Sequence, residues 1–353
     1  MKKTLAFVFI LGTLLTIKAQ DDKNISPAIQ EANNLSAEVV RLFQQRKYQE
    51  ALPIAQQVVR IKENEFGKDA LEVAVQLRNL GFVYYFLNSK KEAEKTFERA
   101  SMIFEKQTTL KKEENILWGE MLERLAFIKY EFQKPETTEA LFEKALLAYQ
   151  KAGEKDSLKA GNILVSRGNL KSAGEDFNEA SNFYEQALAI RVKKLGAKNF
   201  ETEDAFDRSA CSLKKLGKEK EIQRIQETFF PTAKITDNGS LQWLDEKTGK
   251  DAAIGADKNS VGGEVVNGKA VSLPKPPYPL EARQLRASGQ VNVRVKINEQ
   301  GNVTYACGAF NSINKSLIDA AESAAYGAKF QPTLFNGQPR KVSGIIVYNF
   351  IAP

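Results

Sequence analysis

Five positions, Ala51, Ala93, Thr138, Ala180 and Ile222, stand 42, 45, 42 and 42 residues apart, and around them the same kinds of side chain recur. The fullest copy reads Leu77-x2-Leu80-Gly81-x2-Tyr84, then Ala93-x3-Phe97-x2-Ala100. It returns as Leu122, Leu125, Ala126, Phe142 and Ala145, and again as Leu164, Gly168, Phe177, Ala180, Tyr184 and Ala187. Weaker copies flank these: Leu35, Leu42, Ala51, Ala55 and Val58 upstream, and Phe206, Ala210, Leu213 and Ile222 downstream. Few sequence features limit a fold more tightly. Within each copy the apolar residues fall at helical spacing, so one copy is a pair of helices with no core of its own, and stability must come from stacked neighbours. Small residues at the Ala and Gly positions let two antiparallel helices approach, and the Phe and Tyr positions fill the space between them.

This pattern resembles the tetratricopeptide repeat. The usual period is near 34 residues; the extra length here resembles the kinesin-light-chain variant, in which stretches such as Ile61-Lys-Glu-Asn-Glu-Phe-Gly67 and Ile190-Arg-Val-Lys-Lys-Leu-Gly196 lead into the next helix. The resemblance covers about residues 30–230 and implies an α-solenoid that holds a protein partner on its concave face. No distinctive Lys/Arg or Asn constellation marks the inner helices, so the partner has no visible signature. Runs such as Ser89-Lys-Lys-Glu-Ala-Glu-Lys95 read as solvated faces.

The absence of histidine anywhere in the 353 residues removes the commonest general base and metal ligand. Glu63, Glu65 and Asp69 cluster, but no nucleophile or glycine cradle accompanies them, so the chain reads as a non-enzyme without metal or cofactor. The two cysteines, Cys211 and Cys307, lie in segments of different type and read as buried free thiols. At the N-terminus, Lys2 and Lys3 precede an apolar run from Leu5 to Ile17 and a small residue, Ala19, in the order of a cleaved export signal over residues 1–19. Thirteen residues of helix cover about 20 Å against a hydrocarbon core of about 30 Å, too short to span comfortably. The expected location is the periplasm. From Val265 onward ten basic residues face four acidic ones, a balance that suits either solubility or an anionic surface such as the cell-wall polymer peptidoglycan.

After Phe230-Pro231 the helical rhythm stops. A linker rich in Gly, Asp, Asn and Lys is expected over 231–264, with Leu241-Gln-Trp-Leu244 able to pin part of it to the solenoid. Then Gly289 to Ile297 alternates: Val291, Val293, Val295 and Ile297 form one face, and Asn292, Arg294 and Lys296 the other, read as a core face and a water face of a strand. A turn at Glu299-Gln-Gly301-Asn302 returns it as a second strand, Val303 to Gly308. Leu317, Ala320, Ala321, Ala324, Ala325 and Ala328 recur as a helix, and Val342 to Phe350 closes the module as a strand.

Taken in order, Tyr278-Pro279, Ala282-Arg283, Gly289-x-Val291-x-Val293, Gly301-x-Val303, Phe330-x-Pro332, Asn336-Gly337-x-Pro339 and Tyr348-x-Phe350 resemble the TonB C-terminal domain, expected here as a small α+β domain over 265–353. Tyr326-Gly327 departs from the family pattern and puts the last turn of the helix in question. The resemblance implies capture of an extended peptide, the TonB box of an outer-membrane TonB-dependent receptor, as a strand added beside the last strand. The residues that would form that edge are Val342, Ser343, Gly344, Ile345, Ile346, Val347, Tyr348 and Asn349. Val342, Ile346, Tyr348 and Phe350 face the core; Ile345 and Val347 point the other way, toward a guest or a second packed surface. The expectation is a periplasmic adaptor that docks to receptors or other envelope proteins. A membrane-anchored energy transducer and a cell-wall-associated structural protein are the alternatives. Export and the lack of nucleic-acid motifs argue against DNA or RNA as partners.

Overall fold

The helical period is realised as ten helices: α1 (Pro27–Gln44), α2 (Tyr48–Phe66), α3 (Leu71–Phe86), α4 (Lys90–Glu105), α5 (Lys112–Glu131), α6 (Pro135–Lys151), α7 (Leu158–Ala173), α8 (Phe177–Leu195), α9 (Phe200–Lys215) and α10 (Glu219–Phe229). They are seen in a computed structural model that describes residues 25–235, 241–244, 270–308, 314–335 and 337–352. The expected export signal lies outside the described residues. Among those residues no helix is long and apolar enough to cross a membrane.

Local chemistry sets where the helices begin and end. The side chains of Ser26, Asp176 and Asn199 accept backbone N–H groups of the first turns of α1, α8 and α9. The helices α2 and α8 stop where Gly67 and Gly196 take positive φ, 84° and 85°, a conformation that disfavours any residue with a Cβ. These two glycines close the two stretches that the sequence singles out as leading into the next helix.

The chain divides into two compact units at residues 163/164. The first, from α1 to the start of α7, has one apolar core, in which Phe97, Phe104, Met121, Leu122, Leu125, Ile128 and Tyr149 are fully buried. Each large side chain taken out of water there contributes roughly 2–3 kcal/mol. The repeat's small positions serve close approach: a Cβ added at Gly81 would lie 2.4 Å from the Phe97 ring. In the second unit a Cβ at Gly168 would stand equally close, 2.4 Å, to the ring of Tyr184. The five positions that define the period, Ala51, Ala93, Thr138, Ala180 and Ile222, are all buried.

The second unit, from Leu164 onward, includes two separate apolar clusters that matter for the site. One gathers Leu188, Phe206, Ile222, Ile225 and Phe230 between α8, α9 and α10. A two-stranded hairpin, β1 (Ala233–Ile235) with β2 (Leu241–Trp243), closes it. Trp243 sets its ring 6.0 Å from that of Phe230 and donates Nε1–H to Glu203 at 2.8 Å, so the Leu241–Leu244 stretch is pinned to the helices.

The other core belongs to the C-terminal module: β3 (Ala270–Ser272), α11 (Leu280–Gln284), β4 (Gly289–Ile297), β5 (Val303–Cys307), α12 (Lys315–Tyr326), β6 (Lys329–Phe330), β7 (Thr333–Phe335), β8 (Gln338–Arg340) and β9 (Val342–Phe350). Its main sheet runs β5-β4-β9, antiparallel throughout, with β3 paired to β6 and β7 to β8. Val291, Val293 and Val295 meet Leu317, Ala321 and Ala325 of α12, whose small side chains let the helix lie close on the sheet. At the β4–β5 turn Gly301 has φ 78°, and a Cβ there would stand 1.8 Å from the Phe330 carbonyl oxygen, so the turn admits no larger residue. The helix α12 ends at Tyr326, and Gly327 is its C-cap at φ −85°, which resolves the question that Tyr326-Gly327 raised.

Candidate functional site

Strand β9 pairs with β4 through nine consecutive positions, from Val342 opposite Ile297 to Phe350 opposite Gly289. It is the last strand of its sheet among the described residues. The predicted edge residues all lie on this strand, but their side chains divide sharply. Val342, Ile346 and Tyr348, with Phe350, are buried in the module's core, as the alternation predicted. Ile345 is also buried, opposite Arg294 on the other face; Gly344 is buried, Ser343 and Val347 are half-buried, and Asn349 is exposed. Burial pushes the Tyr348 hydroxyl up to about 12.

The second face of the sheet differs from the sequence reading. Arg294 and Lys296 do not face water: they are 3% and 2% exposed. Arg294 lies 2.5 Å and Lys296 2.7 Å from the two carboxylate oxygens of Asp207, on α9. The Tyr305 hydroxyl of β5 donates to the Asp207 backbone carbonyl at 2.8 Å, and the Arg208 guanidinium sits 4.8 Å from the Tyr305 ring. Lys296 also stands 4.7 Å from the ring of Phe200, at the start of α9. At the ends of the seam Lys341 pairs with Glu201, and Lys215 with Glu322 at 2.9 Å. The alternation of β4 thus marks one apolar face against α12 and a second face that is exposed at Gln290, half-buried at Asn292 and buried at Arg294 and Lys296, where it meets α9. A strand pattern reports which residues share a face, and only packing decides what covers it.

The two cysteines follow from the same contact. Cys211 of α9 and Cys307 of β5 form a disulfide, not the free thiols expected from their separate segments. A sequence separation of 96 hid a pairing that depends on α9 lying across β5. Cys211, Cys307 and Glu322 also form the one grouping of potential metal ligands among the described residues, but the two sulfurs are bonded to each other.

Electrostatics along α9 match its partners. Burial alone would raise the Asp204 carboxyl, but Arg208, 2.9 Å away, with Arg191 and Lys296 holds it below the usual carboxylate range. Burial, reinforced by the Asp207 charge, pushes the Tyr305 hydroxyl well above its ordinary value, so it remains a donor.

The first unit carries a charged cluster that the sequence reading missed. Arg78 of α3 lies 2.5 Å from Glu120 of α5, whose other oxygen pairs with Lys159 of α7. Although burial opposes ionisation, Arg78 and Lys159 hold the Glu120 carboxyl low. One turn on, burial raises the Glu123 carboxyl. Arg78 stacks over Phe82 at 4.8 Å, and Arg124 sits 5.4 Å from the Tyr85 ring. The signal was present as charges about one repeat apart, 78, 120 and 159, but charge recurrence is also what solvated helix faces show. Lys129, by contrast, is buried and held at 2.5 Å by both Glu94 and Glu98, so the Lys90–Lys95 run is not wholly solvated. A cavity of about 260 Å³ beside Phe104, Asn115 and Trp118 is smaller than the roughly 300–1,000 Å³ of ligand pockets.

Comparison with known proteins agrees with both resemblances. Residues 32–106 and 119–191 match the tetratricopeptide repeat, and residues 274–351 match the Gram-negative bacterial TonB protein C-terminal domain. No curated protein matches the chain. Among solved structures, the nearly identical TPR-like repeats of a kinesin light chain from Podosopora anserina are 19% identical, with 58% of this chain and 95% of that one covered at a TM-score of 0.46. BtubC from P. vanneervenii is 15% identical over 58% of this chain and 90% of that one, with a TM-score of 0.39. MamA from Desulfovibrio magneticus RS-1 is 10% identical, covering 57% and 94% at a TM-score of 0.41.

Proposed function

We propose that this chain, tetratricopeptide repeats followed by a TonB C-terminal domain, is a non-catalytic adaptor of the Gram-negative envelope that captures an extended peptide along β9. Both modules are of kinds that bind proteins. The observation that carries the reading is the position of β9: a nine-residue strand at the end of its sheet, with β4 as its one paired strand among the described residues. A sheet edge presents backbone N–H and C=O groups to a guest strand, and this supplies affinity with few demands on the guest's side chains. Burial of Val342, Ile345, Ile346 and Tyr348 fits that mode, because these side chains hold the strand in place. The guest of choice is the TonB box of an outer-membrane TonB-dependent receptor, and the repeats would hold a second protein. In this reading residues 1–19 direct export and are removed, and the mature protein works in the periplasm.

Titration of the full chain with receptor-derived extended peptides tests the proposal. Binding in the micromolar to millimolar range is expected, and it should disappear when alternate backbone nitrogens of the peptide are methylated. No binding at millimolar peptide, or binding indifferent to methylation, would overturn strand addition.

A further inference from the structure

The seam between α9 and the sheet is unlike either core that it joins. Its apolar part is a cluster of Cys211, Tyr305 and Cys307. Beside it stand the Tyr305 hydroxyl on the Asp207 carbonyl and a set of ion pairs: Arg294 and Lys296 on Asp207, Lys215 on Glu322 and Lys341 on Glu201. The pairs of Asp207 are buried and roughly break even, because the desolvation of each charge offsets most of the attraction, and the part-exposed pairs of Lys215 and Lys341 add little. The helical core around Phe206 and the module's core around Val293 are separate clusters that share no residue with the seam's cysteines. One covalent bond therefore joins two separately cored bodies across an interface of small net affinity.

We propose that Cys211 and Cys307 form a thiol–disulfide exchange site that takes a dithiol as co-substrate and controls whether the C-terminal module stays docked on α9. A thiolate of the dithiol attacks one sulfur and breaks the Cys211–Cys307 bond, giving a mixed disulfide and a cysteine thiolate that takes up a proton. The second thiol of the reductant then displaces the remaining cysteine, which is likewise protonated. Two electrons and two protons pass to the pair, and the dithiol leaves as its own disulfide. In the closed state the seam is held at an effective concentration no bimolecular contact reaches. In the open state the module is tethered only through the main chain, where effective concentrations are on the order of millimolar, and the docked-to-undocked ratio falls to within about tenfold of unity. Undocking uncovers the face of Arg294, Lys296 and Tyr305. The inference is independent of strand capture at β9.

Lysine acetylation footprinting of the full chain reads the state directly, because Lys296 is 2% exposed in the docked form while Lys315 is exposed and serves as an internal standard. In the oxidised chain Lys296 should stay unmodified. After dithiothreitol treatment, and equally in the Cys211→Ser/Cys307→Ser variant, its acetylation rate should rise at least about tenfold relative to Lys315. Hydrogen exchange at the β4 amides should remain protected, which separates undocking from unfolding, and reoxidation of the native chain should restore protection of Lys296. The proposal is overturned if Lys296 stays protected in both the reduced chain and the double variant. It is overturned equally if Lys296 and the β4 amides lose protection together, since the bond would then be a staple of the module's fold.

Discussion

The helices of the first unit and the C-terminal module cohere by different means. From α1 to α6 each helix packs mainly on the helices next to it in sequence, and a small residue under an aromatic ring recurs, Gly81 under Phe97 and Gly119 under Tyr149. In the second unit two apolar cores meet across a charged seam whose partners are 87 residues apart at Arg294 and Asp207, and 96 at the disulfide. A repeat spreads its stability over many similar contacts, so no single one is decisive. A seam concentrates its dependence on a few unlike groups, and one carboxylate, Asp207, answers two buried cations.

Three perturbations would break or sharpen that contrast, and the chain's two tryptophans, Trp118 in the first unit and Trp243 in the second, allow each unit to be followed separately. The largest effect is expected from Asp207→Ala, which strips one carboxylate from two buried cations and should cost about 4 kcal/mol in denaturant unfolding monitored at Trp243. A loss under about 1 kcal/mol would mean that Arg294 and Lys296 find water or other partners once the carboxylate is gone. Next, Phe97→Ala opens a cavity in the first core and should cost about 3 kcal/mol, read at Trp118. An equal shift at Trp243 would show that the two units do not melt separately. The smallest effect, and one of opposite sign, is expected at Glu123. Burial raises its folded-state pKa above the unfolded value, so the folded chain binds the extra proton, and stability falls as pH rises from the unfolded carboxylate range through that raised value. Glu123→Gln should remove this slope and stabilise the first unit by about 1 kcal/mol at neutral pH; an unchanged or lower midpoint would show that the carboxylate is better satisfied than its burial suggests.

Asp204 carries the opposite pH signature. Its folded pKa is held below the unfolded value, so it adds stability above the normal carboxylate range that is lost as pH falls through the depressed value. The sites of these two carboxyls were not equally legible. Glu123 lies inside a recognised repeat, but as one charge among many on a helix it read as part of a solvated face, and only the packing shows that it is buried. Asp204 and Asp207 lie on a helix whose weak repeat signal, Phe206, Ala210 and Leu213, identified the apolar side and said nothing about the other.

Much of the architecture was open to reading because its causes are local. The 42-residue spacing, the glycines at Gly67 and Gly196, the alternation of β4 and the alanine face of α12 each follow from the geometry of one helix, one strand or one turn. The candidate edge was legible as a strand for the same reason. What covered its second face was not, because Ile345 reads the same whether it meets a guest or is buried within the protein. The charge pattern of β4 misled in a definite way: Arg294 and Lys296 at alternate positions are the usual mark of a wetted face, and burial of such residues becomes tolerable only when a carboxylate is brought to them.

Residue order alone determined the helical repeat, the existence of a small β-module after it and the division of each strand into two faces, since these depend on periodicities of a few residues. Tertiary structure alone decided that α9 lies against the sheet, that Asp207 meets two cations and that Cys211 meets Cys307. Those contacts join segments nearly a hundred residues apart, and no short-range pattern encodes a distance that only the packing of separate elements creates.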